Sequence, residues 1–152
     1  MSIYRTLSSK TGNPTNPWDM LVLDASIVIK WFYGEADSAE ALEILEYMHK
    51  GKIHCLAPDL IIYEVANALW KGKKAPRARI FEALDDLHAS SLKIVRLSDG
   101  IIKSAVEIMT RYDLSFYDSV YAGMAAVLDL PLLTANMKHH GKVKEIKVLS
   151  LK

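Results

Sequence analysis

Met20-Leu21-Val22-Leu23-Asp24-Ala25-Ser26 is the stretch from which the fold is read. A short continuous apolar run is how a strand covered on both faces looks, and such strands belong to parallel sheets. The run stops on an acid and passes into residues 26–33, which read as a short helix. In an open parallel sheet, ligands bind at the carboxyl ends of strands, where helices begin. Asp24 stands at such a place. Aspartate is also a favoured helix N-cap, so both uses stay open for it at this point.

The same alternation continues down the chain. Residues 38–50 predict an amphipathic helix with positions 41, 42, 45 and 48 inward, stopped by Gly51. A second strand follows at 53–57. A helix over 58–71 carries Ile61, Val65 and Leu69 as its core stripe and closes at Gly72. A helix at 77–90, a strand at 93–96 and a helix at 99–111 come next, the last with Ile102, Ala105, Val106 and Met109 inward. A helix at 115–128, a strand at 132–134 and an edge strand at 143–149 complete the pattern. Strands alternating with helices imply an α/β fold: a three-layer sandwich with a mostly parallel central sheet flanked by helices.

Composition narrows the class. A chain of 152 residues fits one domain and can bury an adequate core without a staple. Residues 1–19 contain Ser, Thr, Asn, Pro and Gly without an apolar period, and are expected to form a flexible extension or a misassigned start; the folded domain is expected at 20–152. A net charge of +1 leaves nucleic-acid binding to a local patch. The single cysteine, Cys55, excludes an intrachain disulfide and reads as a small buried hydrophobe. No segment reaches the length of a membrane helix and no secretory signal opens the chain, so a cytoplasmic location without membrane attachment is expected.

Two further acids sit in apolar company. Glu64 has Leu60, Ile61, Asn67 and Ala68 as its helical neighbours, so it borders the buried stripe; an edge glutamate reaching out to water is the alternative. Asp118 is flanked by Leu114, Tyr121 and Ala122, and Ser115-Phe116-Tyr117-Asp118 also fits a capping box. Isolated buried carboxylates are costly, so three of them call for a shared partner, and a divalent cation serves that purpose. Thr134-Ala135-Asn136 follows a strand at the same end of the sheet and either starts a turn or offers neutral oxygens. Histidine and cysteine do not cluster in zinc spacing, and His139-His140 reads as a polar loop.

In order, Leu21-Val22-Leu23-Asp24-Ala25-Ser26, Tyr63-Glu64-Val65-Ala66-Asn67-Ala68-Leu69, Ser115-Phe116-Tyr117-Asp118-Ser119-Val120-Tyr121-Ala122 and Leu132-Leu133-Thr134-Ala135-Asn136 resemble the PIN domain, and within it the VapC-type toxins. The resemblance covers residues 20–150. It implies a metal-dependent endoribonuclease using Mg2+ or Mn2+, commonly a homodimer, neutralised by a small VapB-type antitoxin. Carried over by position, Asp24, Glu64 and Asp118 would be the catalytic and metal-binding acids, with Ser26 and Thr134 as supporting hydroxyls. The departure is Asn136, where the family usually has an aspartate. Losing that charge weakens divalent binding and puts a second ion in doubt.

Lys71, Lys73, Lys74, Arg77 and Arg79 form the densest basic cluster and are candidates for an RNA-binding rim; a solvated helix connection is the alternative. Trp31, Phe32 and Trp70 either pack in the core or line a groove for an antitoxin helix. Two other readings remain beside the ribonuclease. One is an inactive PIN-like module that binds RNA or protein. The other is an acid-based phosphatase, although Ser26 stands where its second acid would be. A dinucleotide enzyme is set aside, because no glycine-rich loop follows the first strand.

Overall fold

The computed structural model describes residues 20–151, so the expectation for residues 1–19 lies outside the described part. Five strands, β1 (Met20–Leu23), β2 (His54–Pro58), β3 (Lys93–Val95), β4 (Leu132–Thr134) and β5 (Val148–Ser150), form one sheet in the order β3-β2-β1-β4-β5. Every pairing is parallel. β1 is central, with Val22 opposite Leu56 on one side and Leu132 on the other. The chain builds outward from β1 through β2 to β3, then crosses back to lay β4 and β5 on the opposite side. The order therefore reverses between β1 and β4, and a crevice opens at their carboxyl ends.

The helices are α1 (Ala25–Trp31), α2 (Ser38–His49), α3 (Leu60–Asn67), α4 (Arg77–Ala89), α5 (Asp99–Tyr112), α6 (Phe116–Leu128) and the short α7 (Met137–His140). Leu21, Val22 and Leu23 are fully buried together with Leu132, Leu133, Ile61, Val65 and Leu69. The stripe expected on α3 is thus correct. Its end is not a plain helix terminus: Ala68–Gly72 widens into a π turn, which keeps Leu69 inside while Trp70 points out, 59% exposed. Cys55 is buried in β2, and burial pushes its thiol far above the usual value, as suits a packing residue.

Two inward faces differ from expectation. On α2 the expected Ala41 and Met48 are buried, joined by Ser38 and Ile44, while Leu42 is exposed and Leu45 half-buried. On α5 the expected Ala105 is buried, but its companions are Ile101 and Ile108, with Ile102 and Val106 left in water and Met109 half-buried. The reason on α5 is backbone contact. A Cβ at Gly123 of α6 would stand 2.8 Å from Ala105 N and 3.1 Å from Ile101 O, so α5 and α6 touch along that line. The side that approaches most closely wins over the side that is merely apolar. The last strand is shorter than expected, because Val143 is buried in the preceding loop. His139 and His140 lie in α7 rather than in a polar loop, and His140 is fully buried.

Candidate active site

Asp24 occupies the N-cap position of α1 in extended backbone conformation, yet its side chain makes no capping bond. The carboxylate turns into the crevice instead. Oδ2 accepts the Ser26 hydroxyl at 2.5 Å and the Thr134 hydroxyl at 2.8 Å. These two hydroxyls are in turn fixed by the backbone after β4: Ala135 N donates to Ser26 Oγ at 3.0 Å, and Asn136 N donates to Thr134 Oγ1 at 2.9 Å. The reversal between β1 and β4 makes this possible, since it sets their carboxyl ends side by side. Burial pushes the Asp24 carboxyl up, but His140, Ser26 and Thr134 together hold it below the ordinary aspartate value.

Glu64 comes from the second turn of α3 and is half-buried. Its Oε2 accepts the hydroxyl of Tyr121, a buried residue of α6. Burial, with the charges of Asp24 and Asp118 adding to it, pushes Glu64 up to about 7, against the lowering effect of the Tyr121 bond. Asp118 belongs to the first turn of α6. Ser115 caps that helix by accepting Asp118 N at 3.1 Å. The Asp118 side chain is free to face the site, where Oδ2 lies 3.0 Å from His139 Nδ1. Ser115 thus caps the helix through its hydroxyl, while the Asp118 carboxylate contacts His139 instead of closing the capping box.

His140 was not foreseen as a site residue. Its Nε2 lies 3.5 Å from Asp24 Oδ1 and 3.9 Å from Asp118 Oδ1, ion-pair distances rather than hydrogen bonds. Neither ring nitrogen has a hydrogen-bond partner among the described residues. Burial disfavours its cation, but Asp24 beside it, with Asp118 and Glu64, pushes His140 above the usual histidine value. Tyr121 and His139 also went unnoticed. Tyr121 lies three residues after Asp118, and His140 four after Asn136, which is the only signal the chain offers for either. Asn136 Nδ2 lies 3.1 Å from the same His139 Nδ1, so that nitrogen either donates to Asp118 or accepts from Asn136, one at a time.

The three acids reach one crevice from three elements: the end of β1, α3 and α6. Asp24 and Asp118 are close enough for their charges to act on Glu64. An all-carboxylate set with neighbouring hydroxyls is the donor chemistry of a hard divalent cation, so these residues fit one. In the arrangement described, the oxygens are engaged by Tyr121, His139 and His140. Among the described residues no three His, Cys, Asp or Glu side chains already stand at mutual ligand spacing.

The basic cluster divides. Lys73 pairs with Glu35 and lies 4.9 Å from the Tyr33 ring centre. Arg79 bonds Glu82 at 2.9 Å and lies over Phe32. Lys71, Lys74 and Arg77 are exposed. Lys71 is seven residues beyond Glu64, roughly 10 Å along the helix axis. Trp31 is half-buried and donates from Nε1 to Ala41 O at 2.9 Å; with Phe32 it lines a cavity of about 330 Å3 that includes Asp86 and Arg79 but not Asp24, Glu64 or Asp118. Glu64 opens on a separate groove of about 290 Å3, shared with Leu60, Tyr63, Asn67 and Tyr117.

Residues 21–144 match the family model described as the PIN domain. The chain belongs to the PIN domain family. Among relatives of this PIN chain, Ribonuclease VapC3 of Pyrobaculum aerophilum is 29% identical over 119 residues, spanning 75% of this chain and 87% of that protein. The fold is similar to that in VapBC2 from Rickettsia felis bound to a promoter DNA fragment, with a TM-score of 0.67 at 16% identity over 86% of this chain and 98% of that one. It is also similar to Mycobacterium tuberculosis VapC20, described as a sarcin-ricin loop cleaving toxin, with a TM-score of 0.60 at 13% identity over 74% and 86% of the two chains. At such identities the two structures bear on the PIN fold, which agrees with the topology above. No described helix is long and apolar enough to cross a membrane.

Proposed function

We propose that this PIN protein is an endoribonuclease that hydrolyses phosphodiester bonds in RNA, acting as the toxin of a toxin–antitoxin pair. The observation that carries the reading is the convergence of Asp24, Glu64 and Asp118 at the reversal point of the sheet. The VapC3 relative and the VapBC and VapC20 fold neighbours support it.

Asp24, Glu64 and Asp118 would hold Mg2+ or Mn2+. Such an ion, when bound, acidifies a water and offsets charge that develops on the phosphate. The chain's own residues do the rest. Ser26 and Thr134 fix the Asp24 carboxylate by bonding Oδ2, which leaves Oδ1 facing the crevice toward His140 and Asp118. Tyr121 fixes Glu64 through Oε2. His139, when protonated at Nδ1, donates to Asp118 and holds the third acid at the rim. Lys71, Lys74 and Arg77, exposed beyond α3, would neutralise phosphates of the bound strand. A small VapB-type antitoxin, a homodimeric state and a cytoplasmic setting complete the reading.

The test is cleavage of RNA by the purified protein with Mn2+, with EDTA, and with Asp24→Asn. Cleavage that needs the ion and is lost in the variant supports the enzyme. RNA binding with no cleavage under any condition would replace it with a binding module.

A further inference from the structure

The groove beside Glu64 has a composition the acid site does not explain. Leu60, Tyr63, Glu64 and Asn67 lie at i, i+3, i+4 and i+7 on α3, so they form one stripe. The helix already buries a different stripe, Ile61 and Val65. The opposite wall is Tyr117, one turn before Tyr121, whose hydroxyl reaches Glu64. Two large aromatics are thus left in water at the mouth of the site, Tyr63 at 68% and Tyr117 at 59% exposure. Each immediately precedes a carboxylate of the site, Glu64 and Asp118. Tyr117 is braced by Phe116, with ring centres 6.3 Å apart at 68°.

We propose that this groove is a subsite for one unpaired base of the RNA strand, next to the bond to be cut, stacked on Tyr63 and Tyr117 with Asn67 meeting its polar edge. The proposal rests on the ribonuclease reading and deepens it. None of the lining residues is a cation, so the groove is unsuited to the phosphate backbone. Its sole charge, Glu64, belongs to the acid site. Exposed aromatic faces bind bases regardless of sequence, because every base has a stacking face. An asparagine amide can meet the donor and acceptor edge of a base in two directions. A volume of about 290 Å3 is at the small end of ligand pockets, on the scale of one planar group rather than a paired duplex.

Fluorescently labelled single-stranded oligoribonucleotides, intact or carrying one abasic position, are titrated with the full chain in EDTA, where binding is read without cleavage. Tyr63→Ala and Tyr117→Ala are each expected to weaken the intact strand about 5- to 100-fold. Tyr→Trp at either position should retain affinity, and binding of a blunt RNA duplex should change little. One abasic position should cost the wild type a similar factor and cost the alanine variants almost nothing. Both tyrosines are exposed, so their removal should leave the melting temperature in place, and that is measured alongside. Single-strand affinity within twofold of wild type in both alanine variants overturns the proposal and leaves the groove to a protein side chain. Tyrosine-dependent, base-dependent binding by a wild type that cuts no RNA in Mn2+ overturns the nuclease reading alone and upholds the subsite.

Discussion

The Thr134 hydroxyl donates a 2.8 Å hydrogen bond to Asp24 Oδ2, joining residues 110 positions apart at the ends of adjacent parallel strands. The same oxygen atom of Thr134 accepts Asn136 N, so one buried hydroxyl serves both a carboxylate and a turn. Thr134→Val keeps the shape and removes both bonds. We expect a loss of about 1–3 kcal/mol in urea unfolding, because a buried carboxylate loses a donor and a backbone N–H loses its acceptor. RNA cleavage should fall on the order of tenfold or more. A variant as stable as wild type would show that Asp24 does not depend on this hydroxyl.

Stability should depend on pH with a definite sign when divalent ions are absent. Glu64 has a folded value of about 7 against 4.5 for the free side chain, so between these values the folded state holds more protons. Stability then falls as pH rises through that window. His140, also raised, acts in the same direction: its contribution is complete below the ordinary histidine value and is lost as pH climbs through the folded one. Asp24, held low, contributes fully above the ordinary aspartate value and adds no slope in this window. The melting temperature in EDTA should therefore drop from about pH 5 to about pH 8. Glu64→Gln should flatten that drop. Mn2+ should raise the melting temperature more at the higher pH, since protons and the cation compete for the same carboxylates. A flat profile in EDTA would contradict the electrostatic picture of the site.

The salt dependence of RNA binding should separate the cations of the basic cluster. Replacing the exposed Lys71, Lys74 and Arg77 by alanine should lower the magnitude of the log–log salt slope by about 2, if each neutralises one phosphate of a single strand. Arg79→Ala should change it little, because that side chain is already paired with Glu82 and lies over Phe32. An unaltered slope in the triple variant would remove this segment from the RNA path.

Gly123 tests the packing that sets the α5 face. A methyl group there would stand 2.8 Å from Ala105 N and 3.1 Å from Ala105 Cα, both backbone atoms that cannot rotate aside. Gly123→Ala should cost about 1–3 kcal/mol despite alanine's better helix propensity. Thermal and urea unfolding would measure it. Unchanged stability would mean that the two helices can separate at little cost.

Much of this molecule is legible in its linear order. The apolar run ending at Asp24, the stripe of Ile61, Val65 and Leu69, and the cap at Ser115 are local patterns, and local chemistry decides them. The acids stood out for the same reason: a carboxylate among apolar neighbours is conspicuous without knowing what it faces. Stripes on α2 and α5 were less legible, because apolar side chains flank the buried line on both helices. On α5, hydropathy cannot tell Ile101 from Ile102; the close approach of Gly123 can.

The sequence by itself determined the alternation of strands and helices, the strand-end position of Asp24, and which carboxylates were out of place in their surroundings. Only the tertiary structure decided what each acid touches. Tyr121 on Glu64 and His140 beside Asp24 join residues 57 and 116 positions apart by their numbers. Such contacts exist because the strand order reverses between β1 and β4, bringing α7 back over the crevice. Side-chain periodicity carries information over a turn or two of helix. Which distant ends meet is set by how the whole sheet closes its core, and no single segment records that.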